Sequence, residues 1–321
     1  MSVDISKLFD VLFPLCRSIT GPGLRESLAI FSEHMPLEMH SIPSGERVLD
    51  WTVPLEWSAE GATLRGPDGD IVCDFRDNNL HLVNYSSPYV GGIALDDLQE
   101  HLHSLPHLPD AIPYVTSYYN LRWGLCLTHR QRAALAPGEY FVDIKSSLVP
   151  GELNFATCSL PGESEEIVLL TSYLCHPSMA NNELSGPLAL LRVYEYLKAM
   201  PRRHFTYMFL LCPETIGSIA FLSRFDRVIR PRLRGGMVFT CLGGHRNALS
   251  FKTSRRDWLD QPSSIDRLAR LFAERHPNRF EIRPFTPTSG SDERQFCSPG
   301  FKNPMIQVAR TVNNQFSEFH T

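Results

Sequence analysis

The chain has 321 residues, 43% of them hydrophobic and 21% charged, with a formal net charge of −4. That composition fits a globular protein of two domains, or of one large domain carrying an insertion. It excludes the basic footprint of a nucleic-acid binder. No apolar run reaches membrane-span length, and the start, Met1 to Asp10, carries acids early and lacks a signal-type apolar core; the expected location is cytoplasmic, with no nucleic acid and no membrane as partner. Leu8, Val11, Leu12, Leu15 and Ile19 recur at helical spacing until Thr20-Gly-Pro-Gly23 breaks the run. A second helix follows through Leu24, Leu28, Ile30, Phe31 and Met35.

Residues 45–135 read differently. Val48–Val53, Ala62–Arg65, Ile71–Phe75 and Leu80–Asn84 are short and β-rich, with turns such as Gly66-Pro-Asp-Gly69 between them. A helix-like stretch from Leu95 to Leu105 precedes the extended runs Tyr114–Tyr119 and Arg122–Leu127. From about 138 strands and helices alternate. Tyr140–Ile144, Leu153–Thr157, Ile167–Leu174, Phe205–Leu211, Met237–Leu242 and Met305–Val308 read as strands; Leu184–Met200, a stretch from about Thr215, and Ser263–Arg275 read as helices. The expected fold class is α/β, a mostly parallel central sheet with helices on both faces, plus a small inserted β-rich domain. Its parts are a larger discontinuous domain over 1–44 and 136–321 and an insert over 45–135.

The segment Thr171–Gly186 carries the strongest chemical signal. The apolar run Ile167–Leu170 leads into His176, which places that imidazole at the carboxyl end of a buried strand, where open α/β sheets keep their ligand crevice. Asn181-Asn182-Glu183 follows at a helix start; the plain structural alternative is a strand-end histidine beside an N-cap asparagine. Pro213-Glu214 ends another strand, where a carboxylate can bind a metal or act as a base. Ser289–Gln295 is a polar turn holding Asp292, Glu293 and Arg294, and His320 closes the chain. His245 reads as a loop histidine. None of the eight cysteines forms a C-x-x-C pair, so they read as buried hydrophobes. There is no G-x-S-x-G elbow, phosphate loop, G-x-G-x-x-G fingerprint or H-E-x-x-H pair.

Taken together, His176–Gly186, Pro213–Ser218, Gly290–Gly300, Glu318–Thr321, Leu80–Ser86 and Pro109–Tyr119 resemble a bacterial family of aminopeptidase-like proteins. That family lies in the zinc aminopeptidase and glutaminyl cyclase superfamily. Its members carry an early β-rich insertion and usually a C-terminal winged-helix domain, which is expected to be absent here. Many lie in gene clusters for surface polysaccharides or secondary metabolites.

The resemblance implies a zinc-exopeptidase-like fold and a residue-by-residue set of roles. His176 matches the first metal-binding histidine and His320 the last. Asn182 falls where di-zinc members place a bridging aspartate, Glu214 matches one of a Glu-Glu pair whose other position is Pro213, Thr240 falls near another acidic ligand, and Asp292 is the acid of the Ser-Asp turn. An amide and a hydroxyl cannot neutralise two zinc ions, so one ion is expected. The candidate metal-contacting set is His176, His320, Glu214, Asp292 and Asn182; the candidate catalytic residues are Glu214 and Asp292; Glu183 and Arg294 are candidate substrate contacts. Either Glu214 or Asp292 can be the carboxylate ligand, with Glu183 a weaker candidate: if Glu214 ligates the metal the general base is missing or differs, and if Glu214 is the base Asp292 is favoured as the ligand. The expected function is metal-dependent hydrolysis of an amide in a small peptide or aminoacyl amide. The alternatives are a non-catalytic binding or assembly module and an acyl or cyclising transferase. Further copies of the same chain are the one macromolecular partner envisaged.

Overall fold

A computed structural model describes residues 3–244, 248–312, 316 and 318–321. An eight-stranded sheet runs through the larger part. Its order is Glu38–Pro43, Glu152–Leu160, Thr206–Cys212, Ile167–Tyr173, Leu233–Phe239, Met305–Ala309, Leu249–Lys252 and Phe280–Arg283. The strands Thr206–Cys212, Ile167–Tyr173, Leu233–Phe239 and Met305–Ala309 run parallel to their neighbours within this group. They are apolar runs buried on both faces, as parallel strands covered by helices must be.

The helices Ile5–Leu12, Pro22–Ser32, Ser185–Ala199 and Ser264–Arg275 cover one face. Leu8, Leu28, Phe31, Leu191, Tyr194 and Ile265 pack there against Phe209, Leu211 and Ile306. The helix Ile216–Ile229 lies on the other face, where Phe221 and Leu222 join Leu169, Leu210 and Val238. The expected α/β class therefore holds.

A second, antiparallel sheet has the order Ile71–Asp74, Glu56–Arg65, Glu139–Val149 and Tyr89–Ala94. The strand Glu139–Val149, which its alternation with later helices assigns to the larger part, pairs instead at the centre of this small sheet. Its alternating burial, with Tyr140, Val142 and Ile144 inward, supplies the small sheet's half of a core continuous with the large one. Other sequence expectations also shift. Leu80–Asn84 is not a strand: Leu80 and His81 belong to the 3-10 turn Asn79–His81 and Leu82 and Asn84 make isolated bridges, while Leu95–Leu105 shortens to the helix Leu95–Leu98 and another turn. No described helix is long and apolar enough to cross a membrane.

The strand order carries the functional consequence. After Ile167–Tyr173 the chain crosses to Thr206–Cys212 on one side, then returns to Leu233–Phe239 on the other. This reversal opens a crevice at the carboxyl ends of the three strands. His176 follows the first, Glu214 the second and Thr240 the third.

Candidate active site

The loop after Tyr173 turns at Ser178, whose backbone is left-handed (φ 43°), and enters a single π-turn over Ala180–Leu184 before the helix Ser185–Ala199. Such a turn inserts one residue into helical phase and recurs at functional sites. Gly186 then lets the helix start lie against the strands. A β-carbon at that position would press into the Ser172 hydroxyl and the Phe239 carbonyl oxygen.

The π-turn points Glu183 inward. Its Oε2 lies 2.6 Å from His176 Nδ1, and its side chain is fully buried. Glu183, expected at the substrate, is therefore behind His176, where it fixes the ring. His176 Nε2 faces the opposite way, 3.7 Å from Glu214 Oε2. Burial lowers the His176 pKa, but Cys175 and Glu183 beside the ring more than offset this and hold it well above the ordinary imidazole value.

His320 lies nearby, although ligand atoms of His176, Glu214 and His320 do not all come within 4.8 Å of one another. Its ring centroid is 5.6 Å from that of His176. Tyr114 braces both: its ring packs edge-on to His176 at 5.0 Å and to His320 at 5.4 Å, and its amide donates to the His320 carbonyl oxygen at 2.7 Å. Burial and the nearby His176 push the His320 pKa down to about 3, so the ring is neutral.

Glu214 sits on a strained turn. Thr215 has φ 63° and ψ −66°, a costly conformation for a β-branched residue, and the Ile216 amide donates to the Glu214 carbonyl oxygen at 2.7 Å. This is a γ-turn. Ser291 Oγ donates to Glu214 Oε1 at 2.6 Å. Burial raises the Glu214 pKa, against the opposing pull of His176.

Asp292 differs from expectation. It is fully buried, and its Oδ1 accepts from the Thr215 amide at 2.6 Å and from Ser218 Oγ at 3.1 Å. Its Oδ2 faces Cys212 Sγ at 4.0 Å. Its oxygens thus meet the γ-turn and Cys212, and Asp292 does not line the cavity beside Glu214. Burial, then the charge of Glu214, raise its pKa well above the carboxylate range.

Asn182 Oδ1 accepts from Cys241 Sγ at 3.3 Å. Thr240 Oγ1 lies 2.5 Å from the Tyr173 hydroxyl. Neither brings a negative charge. A cavity of about 250 Å³ opens between Asn182, Glu214, Thr215, Gly290, Arg294, Phe319 and His320. Arg294 lines this cavity, while Glu183 and Asp292 do not. His245 lies outside the described residues. Cys175, His176 and Glu183 are the one group of three metal-type ligand atoms within 4.8 Å among the described residues. They do not form a cage: Nδ1 and Oε2 at 2.6 Å are hydrogen-bonded, closer than the roughly 3.3 Å that separates two ligands on one tetrahedral zinc.

Sequence reasoning missed two supporting residues, Arg17 and Lys252. Arg17 donates from Nε to the His176 carbonyl oxygen at 2.9 Å, while the buried pair Lys252 and Glu293, joined at 2.8 Å, holds the turn that carries Ser291. A glutamate seven residues after the histidine could have been tested as a ring partner; no local pattern announces Arg17.

Comparison with known proteins identifies the family and the fold. Residues 6–321 match a family described as "Domain of unknown function (DUF4910)". A Clostridium acetobutylicum protein, described as a candidate polysaccharide biosynthesis protein with an aminopeptidase-like domain, is 40% identical over 318 residues, spanning 99% of this chain and 71% of that protein. A crystal structure of a candidate peptidase from Clostridium acetobutylicum superposes with a TM-score of 0.93 at 39% identity, covering 99% of this chain and 73% of that one. A zinc aminopeptidase from Bacillus subtilis shares the fold, with a TM-score of 0.67 at 13% identity over 99% of this chain and 86% of that one. The chain belongs to the DUF4910 family, together with a Clostridium acetobutylicum relative described as carrying an aminopeptidase-like domain.

Proposed function

We propose that this protein is a cytoplasmic, metal-dependent hydrolase of amide bonds that uses a single zinc ion and acts on small substrates with a free amino group, such as aminoacyl amides. One observation carries the reading: Glu183 holds His176 by Nδ1, so that Nε2 faces Glu214 at 3.7 Å with the His320 ring beside it. Two imidazoles and one carboxylate are a donor set that suits a catalytic zinc with a water in the fourth place. The neutral Asn182 and Thr240 do not suit a second ion.

His176, His320 and Glu214 would hold the ion. When bound, it would polarise the substrate carbonyl and lower the pKa of a water molecule. Ser291 keeps Glu214 oriented through Oε1, leaving Oε2 toward the cavity. Arg294, at the rim, positions the substrate by charge, and the 250 Å³ cavity limits the size of the group bound beside the histidines. The Clostridium acetobutylicum relative's link to polysaccharide biosynthesis favours amide-bearing sugars as a second substrate set to try.

Elemental analysis of the purified protein, joined to hydrolysis assays on aminoacyl amides, tests the reading. It expects one zinc per chain and turnover that disappears in His176→Ala. A protein that binds no divalent cation and turns over none of these amides removes it.

A further inference from the structure

We propose that Arg17 is a positioning residue of this site, fixing His176 from behind, and that Asn84 in the small β-rich part braces Arg17 in turn. The proposal rests on the reading of His176 as a metal ligand.

Arg17 is fully buried, a rare state for an arginine. Its Nε donates to the His176 carbonyl oxygen at 2.9 Å and lies 3.9 Å from Glu183 Oε1. Its Nη1 donates to the Leu12 carbonyl oxygen at 2.5 Å. One guanidinium thus touches the main chain of the histidine and stands beside the carboxylate that holds the same histidine's ring. Among the described residues, Arg17 and His176 are the two basic side chains within 4 Å of Glu183. Arg17 Nη2 and Glu183 Oε1 are both buried without a hydrogen-bond partner. The site keeps two costly polar groups under-satisfied next to the ring, and a purely structural core would not need them.

The segment around Arg17 faces two ways. Asn84 Nδ2 donates to the Arg17 carbonyl oxygen at 3.0 Å, and Ser18 Oγ donates to Asn84 Oδ1. Thr20 Oγ1 lies 2.6 Å from the Tyr85 hydroxyl and accepts from the Trp57 amide at 3.1 Å. The side chains of Ser18 and Thr20 bind the small β-rich part while that of Arg17 binds the loop of His176. The inserted β-rich part therefore reaches the site through Asn84 and Arg17 as well as through Tyr114.

The test uses the full chain with Arg17→Met and Asn84→Ala, the second of which touches neither His176 nor Glu183. Zinc affinity is measured by chelator competition. Amide hydrogen exchange over residues 174–184 is measured on the metal-free protein. Arg17→Met is expected to bind zinc roughly 10–100-fold more weakly, the range seen when a partner behind a ligand is lost. Asn84→Ala is expected to shift affinity in the same direction by a smaller factor. In both, exchange over 174–184 should rise roughly tenfold more than in the rest of the chain. If 174–184 exchanges no faster than the rest in either variant, or zinc affinity is unchanged in a folded Arg17→Met, the proposal is overturned. Should Arg17→Met fail to fold, Asn84→Ala decides by the same comparison. A wild-type chain that binds no zinc removes the hydrolase reading, and the exchange data still decide the role of Arg17.

Discussion

The Thr215 amide donates to Asp292 Oδ1 at 2.6 Å. An acid that the sequence places beside the cavity thus holds a strained backbone turn, and Glu214 depends on that turn for its direction. Asp292→Ala leaves the buried Thr215 amide and Ser218 hydroxyl without their acceptor, a loss of about 2–4 kcal/mol of stability. Asp292→Asn keeps an oxygen for Thr215 and should lose roughly half of that. Urea unfolding of the two variants checks the order. Equal losses would mean the acid does not brace the turn.

Glu214→Gln separates two roles for one carboxylate. As a zinc ligand its loss should weaken zinc binding by roughly 100-fold or more. As a proton acceptor alone its loss would leave zinc in place and stop turnover. Because Glu214 Oε2 sits 3.7 Å from His176 Nε2, the expected outcome is loss of zinc, read by chelator competition.

Lys252 and Glu293 form a buried ion pair, and the Ser291 amide donates to Glu293 Oε2 at 3.0 Å. Lys252→Met strands a buried carboxylate and should cost about 3–5 kcal/mol. The double variant Lys252→Met, Glu293→Leu should recover most of that stability. It should still lower activity, because Ser291 would no longer be held against Glu214. Gly290 belongs to the same device: it has φ 138°, and a β-carbon there would collide with the Glu293 carboxylate. Thermal unfolding of the single and double variants is the measurement.

Arg25 clasps Glu56 with two hydrogen bonds, at 2.8 and 2.7 Å, and the Glu152 amide adds a third at 3.1 Å. This ties a helix of the large part to the small sheet. The Arg25 hydrogen bonds hold the Glu56 pKa below the usual glutamate value. A depressed carboxylate binds fewer protons folded than unfolded, so its stabilisation is complete above the unfolded pKa of about 4.3 and is lost as pH falls through the lower folded value. Thermal unfolding should therefore show little pH dependence from this group between neutrality and about pH 5, then a decline. Glu56→Gln should flatten that decline; an unchanged acid limb would assign it to other groups.

Much of this was legible in the sequence, for physical reasons that can be named. The strand Ile167–Tyr173 is apolar at every core position and ends in a histidine, which is enough to set the crevice and His176 within it. His320 was legible from the family pattern, although nothing in its own neighbourhood marks it. A π-turn carries Glu183 behind the imidazole, and Asp292 is taken up by the amide of a γ-turn 77 positions away; neither turn leaves a periodic trace. The strands Leu249–Lys252 and Phe280–Arg283 have four residues each, too short for a pattern to emerge. Arg17 acts across 159 positions of sequence, a distance over which spacing carries no information.

The extra residue between Ala180 and Leu184 acts as a phase setting for everything downstream. Removing one residue there would restore ordinary helical pitch and rotate the preceding side chains by about 100° relative to the helix that follows. Glu183 would swing away from the imidazole while Gly186 kept its seat on the strands. A deletion of a single amino acid, without loss of any ionisable group, would then uncouple the carboxylate from the ring.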